Sequence, residues 1–173
     1  MTDLYDKIVS ERNSLENLLS KIPGFKGYME MSARREADRM IRDHVAKQYQ
    51  GLVTKFEGIE REMARGSGLM FMDRTRSTKA KIDLIRARIA TDTPGYSGFF
   101  ASNKIGPEDL EKIYAFDGAM VDYAEQLAEK IDTFSTSVTT GQGIPEALAE
   151  VDRVAQEAGQ AYDLRDSVLK GIA

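Results

Sequence analysis

The chain has 173 residues, 42% hydrophobic and 30% charged, with a formal net charge of −4 and no cysteine. That length suits one domain (residues 1–173) able to bury a core without cross-links, and the missing cysteine excludes disulfides, zinc fingers and thiol catalysis. No apolar run reaches the roughly 18 residues of a membrane span, and the opening MTDLYDKIVSERN is charged and amphipathic, unlike a signal peptide, so the expected compartment is the cytoplasm.

Leu4, Ile8, Leu15, Leu18, Leu19 and Ile22 recur at helical spacing and predict a first helix, which Pro23-Gly24 stops. A much longer stripe follows from about residue 30 to 65, carried by Ala33, Ala37, Met40, Ile41, Val45, Leu52, Phe56, Ile59 and Met63. Gly66-Ser67-Gly68 breaks it. Two glycines in three residues cost about 2 kcal/mol of helix propensity relative to alanine, which favours a turn over a kinked continuous helix.

Phe71, Thr75, Thr78, Ile82, Ile85 and Ile89 define a third helix ending near Thr91. After a long connection, Gly106-Pro107-Glu108-Asp109 reads as a helix start: proline suits a first turn whose N–H has no partner, and acids favour the positive end of the helix dipole. The stripe from Leu110 through Ile113, Tyr114, Met120, Val121, Leu127, Ile131 and Phe134 carries that helix to about Thr140. Gly141-Gln142-Gly143-Ile144-Pro145 is a tight connection, and Leu148, Val151, Val154, Ala158, Tyr162 and Val168 mark the last helix. No alternating β-branched run is present. The expected fold is all-α: an elongated antiparallel bundle of four to five helices, two of them about 30–35 residues long.

Alternating helices place the Gly66 and Gly141 turns at one end and the connections 23–29 and 92–106 at the other. Those two connections hold related motifs, PGFKGY and PGYSGFF. The topology therefore gathers Phe25, Tyr28, Tyr96, Phe99 and Phe100 at one tip. Rings beside glycines serve there either as a lid on the bundle or as a partner-binding anchor. At the opposite end, GLMFMD packs four apolar residues in a row, and Met70 and Met72 serve there either as core filling or as exposed, adaptable contacts for self-association.

Charge is divided unevenly along the chain, +5 over residues 1–90 and −9 over residues 91–173. Such a split serves pairing inside the fold, pairing between subunits, or an anionic partner. The sharpest basic stretch lies on the third helix, where Arg74, Arg76, Lys79, Lys81, Arg86 and Arg88 are candidate contacts for an anionic surface, or else dock against the acidic later helices.

Nothing predicts catalysis. His44 is the only histidine, beside an apolar face, and cannot supply the paired Glu-x-x-His motifs of a di-metal bundle. No nucleophile elbow, Walker A loop or dinucleotide fingerprint occurs. No catalytic residue, metal, cofactor or small-molecule substrate is assigned, and an acidic chain without stacking aromatics in its basic stretch disfavours nucleic acid. IPGFKGYMEMSARREADRMIRDHVAKQ resembles the opening of a group of uncharacterised bacterial helical-bundle proteins, and GYSGFF with LEKIYAFD is similar to their middle section. The resemblance implies no activity. The expected function is a non-enzymatic interaction or scaffold protein that self-associates or binds a protein partner. The alternative is a peripheral membrane protein that binds anionic lipid through the basic helix face or the aromatic tip.

Overall fold

Among the described residues, the apolar stripes read from the sequence fall on helices. A computed structural model describes residues 2–10, 18, 21–22, 34–66, 68–91 and 107–172. Among them the helices are α1 (Thr2–Ser10), α2 (Arg34–Met63), α3 (Met72–Thr91), α4 (Pro107–Thr140) and α5 (Ile144–Ile172), with a single 3-10 turn at Leu69–Phe71 and no strand. The protein is an all-α helical bundle. With 30, 34 and 29 residues, α2, α4 and α5 are about 43–51 Å long, and the 20 residues of α3 about 30 Å.

Local chemistry sets the helix ends. Pro107 opens α4, followed by Glu108 and Asp109 in its first turn. Its far end closes where Gly141 adopts φ 72°, a left-handed conformation that admits glycine readily, while the Gln142 N–H donates to the Ser137 carbonyl at 3.2 Å. Gly143, at φ 69°, reverses the chain again, and its carbonyl accepts from the Ala147 N–H at 3.0 Å as α5 begins.

Gly66-Gly68 is a turn. The Gly66 N–H donates to the Met63 carbonyl at 3.2 Å as α2 ends. A Cβ on Gly68 would lie 2.8 Å from Met63 Cγ, so the chain passes where only glycine fits. Across the turn the Thr75 hydroxyl donates to the Phe71 carbonyl at 2.9 Å and lies 3.6 Å from Met63 Sδ.

The side-chain partners fix the topology. Lys79 pairs with Glu60 at 2.8 Å and Thr75 meets Met63, so α2 and α3 form an antiparallel hairpin. Arg165 reaches back to Asp117, making α4 and α5 a second one. The hairpins lie side by side in the same direction. Along α2, Tyr49, Lys55 and Glu62 meet Met120, Asp132 and Thr139 of α4 in ascending order. Along α3, Lys81 and Arg88 meet Asp152, Asp163 and Asp166 of α5 in the same sense. From α2 to α5, helices consecutive in sequence are antiparallel, whereas the pairs α2–α4 and α3–α5 are parallel neighbours. The Thr139 hydroxyl donates to Glu62 Oε1 at 2.8 Å, and this contact brings both glycine turns to one end, as the helix count predicts.

α1, Leu18 and Lys21 lie on the second hairpin. The Tyr5 and Phe116 rings are 6.0 Å apart, Leu18 sits 4.0 Å from where a Cβ on Gly118 would be, and Lys21 pairs with Asp122 and Glu125 of α4. The buried residues form one continuous core, in which the Phe56 and Phe134 rings stand 5.8 Å apart between α2 and α4. The Tyr49 hydroxyl crosses the same interface to donate to the Met120 carbonyl at 3.2 Å.

One ion pair is inside that core. Arg165 Nε donates to Asp117 Oδ1 at 2.7 Å, with the residues only 3% and 4% exposed. Ile41, Val45, Ile89, Met120 and Tyr162 surround the pair, so all four long helices meet there. Removing one partner of a buried pair strands the other charge, which costs far more than the pair itself contributes.

Two variants test the packing. Asp117→Ala should lower the unfolding free energy by about 3–5 kcal/mol in urea denaturation, whereas Asp117→Leu/Arg165→Leu should recover most of that loss. Gly68→Val should cost about 1–3 kcal/mol, because Met63 has no free volume into which to retreat.

Candidate interaction site

The α2–α3 turn presents the most exposed apolar side chains among the described residues. The constraint at Gly68 directs Met63 and Met72 inward and leaves the 3-10 turn between them on the outside. Met70 is 82% exposed and its neighbour Leu69 62%; the other large apolar side chain so exposed is Leu84, alone on the outer side of α3. Single exposed hydrophobes are ordinary on a soluble surface, but two in succession on a tight turn form a small apolar tip.

The structure divides the two methionines expected there. Met70 is exposed. Met72 is buried at 8%, because it begins α3 in the same phase as Thr75, Thr78 and Ile82 and so falls on the core stripe. Leu69 takes its place on the surface. In GSGLMFMD the apolar run shows that some side chains must stay outside, but the 3-10 turn that decides which ones has no period to read.

The basic face of α3 also divides. Lys79 binds Glu60 at 2.8 Å, Lys81 binds Asp152 at 2.8 Å, and Arg86 binds Asp83 at 2.6 Å. Arg88 bridges Asp163 at 2.6 Å and Asp166 at 3.0 Å, with its guanidinium carbon 4.5 Å from the Tyr162 ring centroid. These four cations are committed inside the fold, two of them to the acidic α5. Burial alone would raise the Asp152 carboxyl. Hydrogen bonds from Lys81 and Thr78, with the charges of Lys81 and Arg74, outweigh that effect and hold it below its ordinary value.

Arg74 and Arg76 remain at the start of α3. Arg61 and Arg65 stand across the turn at the end of α2. All four are exposed, and none has an ion pair among the described residues. Sequence reasoning reached Arg74 and Arg76, and Arg65 as the start of the basic stretch, but not Arg61 or Leu69, because only a closed turn brings the end of α2 beside residues 69–76. Phe25, Tyr28, Tyr96, Phe99 and Phe100 lie outside the described residues.

Chemistry elsewhere is sparse. No group of three or more His, Cys, Asp or Glu side chains suited to a metal ion occurs among the described residues, and no helix there is long and apolar enough to cross a membrane. His44 is half-buried on α2, with Nε2 enclosed and without a hydrogen-bond partner among those residues. Burial, reinforced by the charge of Lys47, holds its pKa below the ordinary 6.5.

The imidazole is therefore harder to protonate in the fold than in the unfolded chain. Its neutral form supports full stability above about pH 6.5, and stability falls as the pH drops from there towards the folded pKa. Thermal melts between about pH 7.5 and pH 5.5 should show that decline, and His44→Gln should flatten it.

Comparison with protein-family models, with curated proteins and with solved structures finds no match to this chain.

Proposed function

We propose that this chain is a non-enzymatic interaction and scaffold protein: a stiff helical bundle that works by contact, with the α2–α3 turn as its contact point. The observation that carries this reading is the exposure of Leu69 and Met70 side by side, on a turn whose neighbours Met63 and Met72 are buried. Leaving two large apolar side chains in water has a cost that contact with another surface removes, on the order of 1.5–3 kcal/mol for each one fully covered. A second copy of the chain is one such surface, provided that the contact between copies extends beyond the two tips. The absence of cysteine supports a cytoplasmic setting for this role.

Hydrophobic-interaction chromatography with circular dichroism tests the reading. The native protein should be retained on a phenyl matrix, and Leu69→Ser/Met70→Ser should elute clearly earlier. The double variant should change the unfolding free energy by no more than about 0.5 kcal/mol, since neither side chain belongs to the core. Equal retention of the two proteins would remove the turn as the contact point.

A further inference from the structure

We propose that the partner of the α2–α3 turn is the surface of a bilayer containing anionic lipid, with Leu69 and Met70 entering the interface and Arg61, Arg65, Arg74 and Arg76 engaging the headgroups. The proposal rests on the turn being the contact point and adds the identity of what it touches.

Charge is the first argument. Between residues 61 and 76 the four arginines face two acids, Glu62 and Asp73, and Glu62 already accepts the Thr139 hydroxyl. The cations further along α3 form ion pairs within the fold, whereas these four form none among the described residues, and Arg74 acts on Asp152 only at longer range. The neighbouring α4–α5 turn adds no charge from Thr139 to Pro145; the first acid after it is Glu146. Exposed arginines free of ion pairs among the described residues therefore flank the apolar pair on both arms of the turn, the combination that binds an anionic interface.

Footprint is the second. A stable protein complex buries about 1,200–2,000 Å² in total, far more than two side chains on one turn supply. Membrane binding has no such threshold: inserted apolar side chains and nearby cations add to one another, and a protruding turn enters a lipid interface without a groove to receive it. Long arginine side chains reach phosphate oxygens while their stems lie along the apolar layer. With no membrane-crossing helix among the described residues, the contact is peripheral.

The cysteine-free chain permits clean single-site labelling. An environment-sensitive fluorophore on Met70→Cys should shift to the blue with vesicles containing about 30% phosphatidylserine and not with phosphatidylcholine alone. The same label on Leu84→Cys should not respond. In co-sedimentation, Arg65→Glu/Arg74→Glu and Leu69→Ser/Met70→Ser should each weaken binding at least about tenfold, and raising the salt to about 0.5 M should weaken that of the native protein. No binding to the anionic vesicles, or binding that both double variants leave unchanged, would overturn the proposal. Binding to polyglutamate without binding to vesicles would overturn it in favour of an acidic polypeptide. Phenyl retention that depends on Leu69 and Met70 without vesicle binding would sink the membrane partner and leave the contact reading standing; loss of both would sink both.

Discussion

Four apolar stripes, each on a helix about 30–51 Å long, can share a single core only if their buried faces stay in phase along nearly the whole bundle. A stripe that advances 100° per residue cannot shift by one position without turning a polar side chain inward. That demand explains why Met72 is drawn into the core from a turn that otherwise faces outward. It also explains why the Asp117–Arg165 pair is buried: both residues lie in the apolar phase of their helices, and each is tolerated there because the other is present. At this pair the inside of the bundle is specified by charge as well as by volume, and the pair joins α4 to α5.

Surface charge plays a smaller energetic part but a clear directional one. A partly exposed ion pair contributes about 0–1 kcal/mol, against about 1.5–3 kcal/mol for a buried phenylalanine or leucine, so the core sets the stability. Like charges on facing helices would repel, however, and the placement of basic α3 beside acidic α5 selects this arrangement over one with those partners exchanged. The split of +5 and −9 along the sequence is in part an internal lock, visible at Lys81–Asp152 and Arg88–Asp163.

Much of the fold was legible in the sequence because it rests on local periodicity and on punctuation. Pro107 and Gly141 mark the ends of α4, and the stripe read over residues 30–65 corresponds to α2 at Arg34–Met63. Which helices become lateral neighbours was not legible, since the same stripes fit several arrangements around a square. Asp117 left a readable trace: it lies in the core phase between Ile113 and Met120, where an acid implies a buried cation. Leu69 left none, because its exposure depends on the close approach of Gly68 to Met63 and not on any repeat. Arg61 and Arg65 belong with Arg74 and Arg76 only after the turn has closed, a proximity that no spacing rule contains.

The same-direction stacking of the two hairpins has a consequence for symmetry. The α4–α5 layer is related to the α2–α3 layer by a sideways translation and not by a two-fold rotation, and translation does not close on itself. A stack built this way can accept another layer on either open face unless something covers it. On the α4–α5 side the covering is built into the chain: α1 lies against both helices, and Leu18 and Lys21 against α4. α1, with Leu18 and Lys21, thus serves as the terminal layer of a stack two hairpins deep.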